Sequence, residues 1–320
     1  MKITTVIPAY KSKYLMELLA ALAQQTEPPE RILFSDDSPD QSFIRMLASE
    51  PVKSLIAHLN VSAIPGTRRG AYANWSQCIN AWGGETELLH ILCDDDIIYP
   101  QFYARHRQAH RSGHFSSTVS SRWYANEAGQ PLRHALNLPD AVAQHPQRML
   151  SLDANVLFTT TVGRAANWLG EVSNTVMRAE VAELIVRREV DGIPIAGLED
   201  LGAFICGAQT HPLCYINEHL GYFRQSPNQN STHGTSAAMK CAIMSYFGLA
   251  LIGRKRGLIS EEQAKYCFDA VGSNVLWHYR NEADTQAIRD ALPALMAGEA
   301  GADGPYLDAW RAFVAANGHF

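Results

Sequence analysis

Short β-branched or apolar runs alternate with stretches of helical period through the first hundred residues, and this rhythm constrains the fold more than any single motif. Residues Ile3-Thr4-Thr5-Val6-Ile7 read as a strand closed by Pro8, and Leu15, Leu18, Leu19 and Leu22 follow at the i, i+3, i+4, i+7 spacing of a buried helix face. Gln24 to Pro29 stops that helix. A second strand, Arg31 to Ser35, runs into Asp36-Asp37-Ser38-Pro39-Asp40, a turn-rich acidic segment that can also cap the next helix. A third strand is expected at Leu55 to Leu59, a helix at Tyr72 to Trp82 and a fourth strand at Leu88 to Cys93. The alternation predicts an α/β fold with a mostly parallel, Rossmann-like sheet, right-handed crossovers and helices on both faces.

Beyond residue 100 the pattern predicts a helix at Pro100 to Ser112, a strand at Thr118 to Tyr124 turning at Asn126-Glu127-Ala128-Gly129, and loops from Asn137 to Gly170. A short strand at Asn174 to Met177 and helices at Arg178 to Arg188 and Asp200 to Gly207 follow. From Ser236 the chain is helical and Ala-rich, with a break at 300–305. The expected organisation is an α/β domain over residues 1–235 and a helical C-terminal extension over 236–320.

With 320 residues, 47% of them hydrophobic, the chain can bury a large core. A net charge of −5 argues against nucleic acid as a partner, because such binders neutralise many phosphates with a general basic surface. Six cysteines without a CxxC pair, and a first strand with no secretory signal before it, favour a reducing cytoplasm. No apolar run reaches the roughly 18 to 20 residues of a membrane span. Ala237 to Ile252 comes nearest, interrupted by Lys240 and followed by Arg254-Lys255-Arg256. That stretch suits a helix buried on the domain with cations at its C-terminal dipole better than one lying on anionic lipid, although peripheral contact with the inner membrane stays open, as does oligomerisation.

The apolar run Leu88-Leu89-His90-Ile91-Leu92 ends in Cys93 and then three adjacent carboxylates, Asp94-Asp95-Asp96. Like charges so close are unfavourable unless something cationic neutralises them, and such an oxygen cluster suits Mg²⁺ or Mn²⁺ shared with substrate phosphates. The strand aims them at the carboxyl edge of the sheet, where open α/β folds bind nucleotides. A solvated acidic turn is the bland alternative.

Four features occur in order: strand then Pro8-Ala9-Tyr10, strand then Asp36-Asp37, strand then Asp94-Asp95-Asp96, and Gly197-Leu198-Glu199-Asp200 opening a later helix. This arrangement resembles the family 2 glycosyltransferases, inverting enzymes of the GT-A fold that use nucleotide-diphosphate sugars. The likeness runs over about Lys2 to His233, through "TVIPAYK", "LLAALAQQTEPPERILFSDDSPD" and "LLHILCDDDIIYP". It implies that Pro8, Ala9, Tyr10 and Asp37 hold the base and ribose of a UDP- or dTDP-linked donor, with Asn74 beside them. The Asp triplet takes the position of the family's metal-binding Asp-x-Asp signature, which Asp94 with Asp96 or Asp95 can each satisfy, and it approaches the donor diphosphate. Arg68, with Arg69, and Arg224 are the candidates to pair with phosphate.

The resemblance also makes Asp200, with Glu199 next to it, the catalytic base, and brings His233 to the metal or the phosphate through the stretch Tyr222 to His233, which is similar to the family's "yR-x-H…N-S". Ser226 stands where that motif has its His, and Ser38-Pro39-Asp40 is shorter than the usual turn, which leaves Asp40 without a role. The expected activity is a metal-dependent hexosyl transfer to a glycan or lipid-linked glycan acceptor, in bacterial surface-polysaccharide assembly. A sugar-nucleotide nucleotidyltransferase would carry a Gly-rich phosphate loop after the first strand, where this chain has Pro8-Ala9-Tyr10-Lys11. A catalytically silent sugar-binding module would not need the intact triplet and Asp200.

Overall fold

The computed structural model describes residues 1–133, 136–226 and 233–319. The chain runs through β1 (Ile3–Ala9), α1 (Leu15–Ala23), β2 (Arg31–Asp36), α2 (Ser42–Leu47), α3 (Glu50–Leu55), β3 (Val61–Pro65), α4 (Ala71–Trp82), β4 (Leu88–Ile91), β5 (Ile97–Ile98) and α5 (Phe102–Ser112). There follow β6 (Ser117–Ala125), α6 (Asp140–Ala143), β7 (Met149–Leu152), α7 (Ala154–Thr160), β8 (Thr175–Met177), α8 (Ala179–Arg187), β9 (Glu189–Val190), β10 (Ile193–Pro194), α9 (Glu199–Gly207) and β11 (Leu213–Arg224). Four helices close the chain: α10 (Ala237–Lys255), α11 (Glu261–His278), α12 (Gln286–Ala297) and α13 (Asp303–Asn317).

Nine strands form one sheet in the order β3-β2-β1-β4-β8-β6-β11-β5, with β7 also paired to β11. β3, β2, β1 and β4 are parallel neighbours, as are β6 and β11, while β8, β5 and β7 run antiparallel to their neighbours. The mixed, mostly parallel sheet follows from strand alternation. In β1, Ile3 and Ile7 enter the apolar layer beneath α1 and α5, and Val6 enters the layer on the other face. Each such side chain, fully withdrawn from water, contributes about 1.5–3 kcal/mol.

The second layer joins Val6, Leu33 and Ile91 of the sheet to Phe247, Phe268 and Trp310 of the C-terminal helices, so one apolar core runs across the 235/236 boundary. Among the described residues α10 alone is long and apolar enough to cross a membrane, and most of its apolar stretch is buried in the fold. Trp310 donates to Pro194 O at 2.9 Å and Tyr306 to Met244 O at 2.9 Å, which fastens α13 onto β10 and α10.

Two segments depart from the expected elements. Leu55 to Leu59 is no strand: α3 ends at Leu55, and the third strand starts at Val61. Val52 and Ile56 sit four residues apart and bury on one helical face, a period that a short apolar run conceals. β11 is a 12-residue strand where no strand was expected. Its alternation is broken by Asn217-Glu218-His219, where the pairing with β6 shifts register. Asn137 to Gly170, expected as loops, also holds α6, α7 and β7.

Candidate functional site

The site begins where β4 leaves β1. Lys2 O and Val6 O accept from Leu88 N and Leu92 N, so even-numbered residues of β1 face β4, and beyond Val6 that neighbour turns away. Pro8 occupies the next even position, where its missing N–H leaves no donor unpaired. At Tyr10 the Asp94 carboxylate replaces the lost strand: its Oδ2 accepts from both Tyr10 N and Lys11 N at 2.5 Å. Asp94 thereby ties the tip of β1 to the tip of β4, and the Tyr10 ring is left 59% exposed at the rim.

The three carboxylates have separate partners. Asp95 pairs with Lys11 Nζ at 2.5 Å. Asp96 Oδ1 accepts from Arg224 N at 2.9 Å, while its Oδ2 is buried without a hydrogen-bond partner. Burial, then the Asp95 charge, push the Asp94 carboxyl up to about 6 and that of Asp96 well above the usual carboxylate range. Burial alone lowers the Lys11 ammonium, but the charges of Asp95 and Asp94 outweigh it and its pKa rises.

Asp36 and Asp37 divide the work of the second tip. Asp36 Oδ1 accepts from Ser38 N at 3.1 Å and Oδ2 from Ile44 N at 2.9 Å, so it is a turn and cap residue. Asp37 Oδ1 accepts from Arg68 N, and Gly66 lies so close that a Cβ there would stand 2.6 Å from that oxygen. The side chains of Arg68 and Arg69 are exposed and make no ion pair among the described residues. Asp40 pairs with Arg45 on the surface.

Two candidates for ligand contact, Asn74 and Arg224, and the catalytic candidate Glu199 all make polar contacts within the protein. Asn74 is buried, donating to Ser35 O at 3.0 Å and accepting from Ser35 Oγ at 2.5 Å, so it pins the end of β2. Arg224 is 1% exposed and donates to Asp95 O at 2.7 Å, Glu127 O at 2.6 Å and Glu17 Oε2 at 2.7 Å, so it buttresses the triplet from behind. Glu199 is held by Arg188 at 2.6 Å, an ion pair stacked on the Tyr72 ring at 3.8 Å. His233 is exposed just ahead of the α10 cap Ser236, and among the described residues no group of three His, Cys, Asp or Glu is assembled as a metal shell. Residues 227–232, including the Asn230-Ser231 pair of the motif, lie outside the described residues.

Asp200 opens α9 beside a pocket of about 190 Å³. Burial, then the charge of Glu171, hold its carboxyl well above the usual range. Glu171 was not anticipated from sequence. It borders both that pocket and a water-sized cavity of about 10 Å³ at Asp96, and its charge acts on Asp96 as well as Asp200. Glu171 thus lies beside Asp96 on one side and Asp200 on the other, at the edge of two separate cavities. Glu171 is steadied by Arg122 at 3.5 Å, which in turn needs Gly170, since a Cβ there would stand 1.8 Å from the guanidinium. Locally Glu171 only forms a capping box with Asn174, and the groups that tie it to the site, Arg122 and Asp200, lie 49 residues upstream and 29 downstream.

A family model described as glycosyl transferase family 2 matches residues 4–167. No curated protein matches the chain. Among solved structures the chain is similar to S. aureus TarS, with a TM-score of 0.58 and 15% identity over 100% of this chain and 54% of that one, so it spans about half the length of that protein. S. aureus TarS 1-349 in complex with UDP gives a TM-score of 0.57 and 13% identity over 99% of this chain and 91% of that one. The complex of TarS 1-349 with UDP-GlcNAc gives 0.56 and 14% over 100% and 93%. At these identities the likeness shows the fold.

Proposed function

The chain belongs to glycosyl transferase family 2, and from that premise we propose that this glycosyltransferase moves a sugar from a nucleoside-diphosphate donor to a hydroxyl acceptor with inversion at the anomeric carbon. The observation that carries the reading is that Glu171 borders both the pocket beside Asp200 and the small cavity at Asp96, which supports a carboxylate group for the donor phosphates and a base on neighbouring surfaces. Tyr10 offers an exposed ring for the base of the donor, and Asp37 stands at the end of β2 beside it. The UDP complexes of the TarS structures favour a uridine nucleotide.

In the transfer the acceptor oxygen forms its bond to C1 as the bond from C1 to the diphosphate oxygen breaks. Asp200 takes the hydroxyl proton, and the diphosphate leaves with the bonding pair. A carboxylate raised by burial is a stronger base at neutral pH than an ordinary one. Lys11 and the exposed Arg68 are the cations near the leaving group, on the loops that follow β1 and β3.

A divalent cation, Mg²⁺ or Mn²⁺, fits the hard oxygen set at the triplet, and Asp96 Oδ2, buried without a hydrogen-bond partner, is the oxygen such a cation would satisfy. Asp96 and Asp95 would hold it, with the remaining ligands from the donor phosphates. When bound, it supplies Lewis-acid neutralisation of the departing diphosphate. Six free thiols, five of them buried, suit a reducing compartment, so a cytoplasmic place in surface-glycan assembly belongs to the same proposal.

The test is nucleotide release from a panel of UDP- and dTDP-sugars with Mn²⁺ or Mg²⁺, with and without EDTA, alongside thermal stabilisation by UDP. Asp200→Asn should keep stabilisation by UDP and lose transfer; wild-type transfer in that variant rejects the base. Stabilisation by UDP that is identical with and without EDTA rejects the cation.

A further inference from the structure

The pocket beside Asp200 has a chemistry of its own. Tyr72 and Trp75 sit one turn apart on α4 and form an aromatic wall, and Glu171, Glu199 and Asp200 contribute carboxylates. Its lining includes no Lys or Arg among the described residues. The Tyr72 hydroxyl is spent on Val186 O at 2.6 Å and Ile185 O at 3.0 Å, which fixes the orientation of its ring. Trp75 is half-buried, and its indole N–H donates to no described residue. A cavity of about 150 Å³ admits benzene, so 190 Å³ has room for a six-membered ring.

A ring with C–H groups on its faces and hydroxyls on its edge matches this lining, because aromatic faces attract C–H dipoles and carboxylates accept from hydroxyls. We propose that this pocket seats a single acceptor sugar ring against Trp75, and that it selects a neutral or amino sugar over one carrying a carboxylate or phosphate. The inference rests on the transfer reading above and adds the class of acceptor. The nearby cations cannot serve an incoming anion. Arg188 is paired with Glu199, and Arg122 is buried, donating to Leu169 O and Glu171. An anion entering here meets the oxygens of these pairs, in a site already partly withdrawn from water, where like charges repel more strongly than in bulk.

The probes are methyl glucoside, glucosamine, glucuronate and glucose 6-phosphate, followed by saturation-transfer NMR on the full chain, with and without UDP or UDP-glucose. Methyl glucoside and glucosamine should bind at least about tenfold more tightly than the two anions, the ratio that 1.4 kcal/mol of discrimination gives. Trp75→Ala should weaken methyl glucoside about tenfold while stabilisation by UDP is kept, and Trp75→Phe, which keeps a ring, should restore most of the binding. Anionic sugars binding as tightly as neutral ones, no saturation transfer from any probe, or unchanged binding in Trp75→Ala overturns the proposal. Displacement of methyl glucoside by UDP-glucose but not by UDP assigns the pocket to the donor sugar and overturns the acceptor assignment. Absence of any stabilisation of the wild type by UDP, with sugar binding intact, strikes the donor reading and leaves the charge selection standing.

Discussion

Replacing Arg224 with leucine removes a guanidinium that holds three chain segments to the triplet: Asp95 O at 2.7 Å, Glu127 O at 2.6 Å and Glu17 Oε2 at 2.7 Å. The two carbonyls lose buried donors, which costs about 1–3 kcal/mol each. The Glu17 partner is 48% exposed, so its pair adds only about 0–1 kcal/mol after screening. Stacking of the guanidinium over Tyr14 at 4.2 Å is lost as well, and leucine recovers part of the packing. A total near 4 kcal/mol follows, which at about 2 °C per kcal/mol for a chain of this size lowers the unfolding midpoint by roughly 8 °C. Thermal unfolding with and without UDP reads both effects. The variant should melt early and bind UDP more weakly, because Asp95 and Asp96 lose their backing. Arg224→Lys, which keeps the charge without the fork, should fall between. An unchanged midpoint combined with tenfold weaker UDP binding would refute this reasoning and return Arg224 to the phosphate-binding role that the family resemblance gave it.

Gly66→Ala puts a methyl group 2.6 Å from Asp37 Oδ1 and 2.7 Å from its backbone, so it should weaken UDP binding several-fold by displacing Asp37 while costing about 1–3 kcal/mol of stability, read by calorimetric titration and melting. The dependence of stability on pH should be nearly flat between pH 4 and 6 in EDTA, because two buried sets oppose each other. Burial lowers His90 to about 3, His110 to about 4 and His106 well below 6.5, so the unfolded chain binds more protons at these sites and their contribution is lost as pH falls below 6.5. Asp94, Asp96 and Asp200 are raised, so the folded chain binds more protons there and their contribution is regained over the same fall. Asp96→Asn with Asp200→Asn should therefore steepen the acid loss by about 1.4 kcal/mol per pH unit for each carboxylate removed; urea midpoints that run parallel to wild type from pH 6 to 4 contradict it. Because the base must be ionised, kcat should rise with pH through a value well above the ordinary carboxylate range, and a pH-independent kcat over that span speaks against Asp200.

The α/β architecture and the triplet were legible because their signals are local. The alternation of Ile3, Val6 and Ile7, the leucine spacing of α1, and the abrupt passage from Leu92 into Asp94-Asp95-Asp96 are each read within a few residues. The register break at Asn217-Glu218-His219 hid β11, since a bulged strand has no continuous period of two. The helical character of α3, up to Leu55, was hidden by a run too short to show its period.

What individual polar side chains do was decided only by folding. Arg224 and Asn74 have the chemistry of ligand-binding residues in sequence, yet burial and close carbonyls make them internal braces. Glu171 reads locally as no more than a capping residue, and folding sets its charge near both Asp96 and Asp200. Sequence determines which groups can ionise and on which face of a strand or helix they emerge, because those follow from covalent identity and the periods of 2 and 3.6. Which of them meet, and which are left without a partner, depends on the crossing of segments up to two hundred residues apart, and that is settled by how the two apolar layers pack against the sheet.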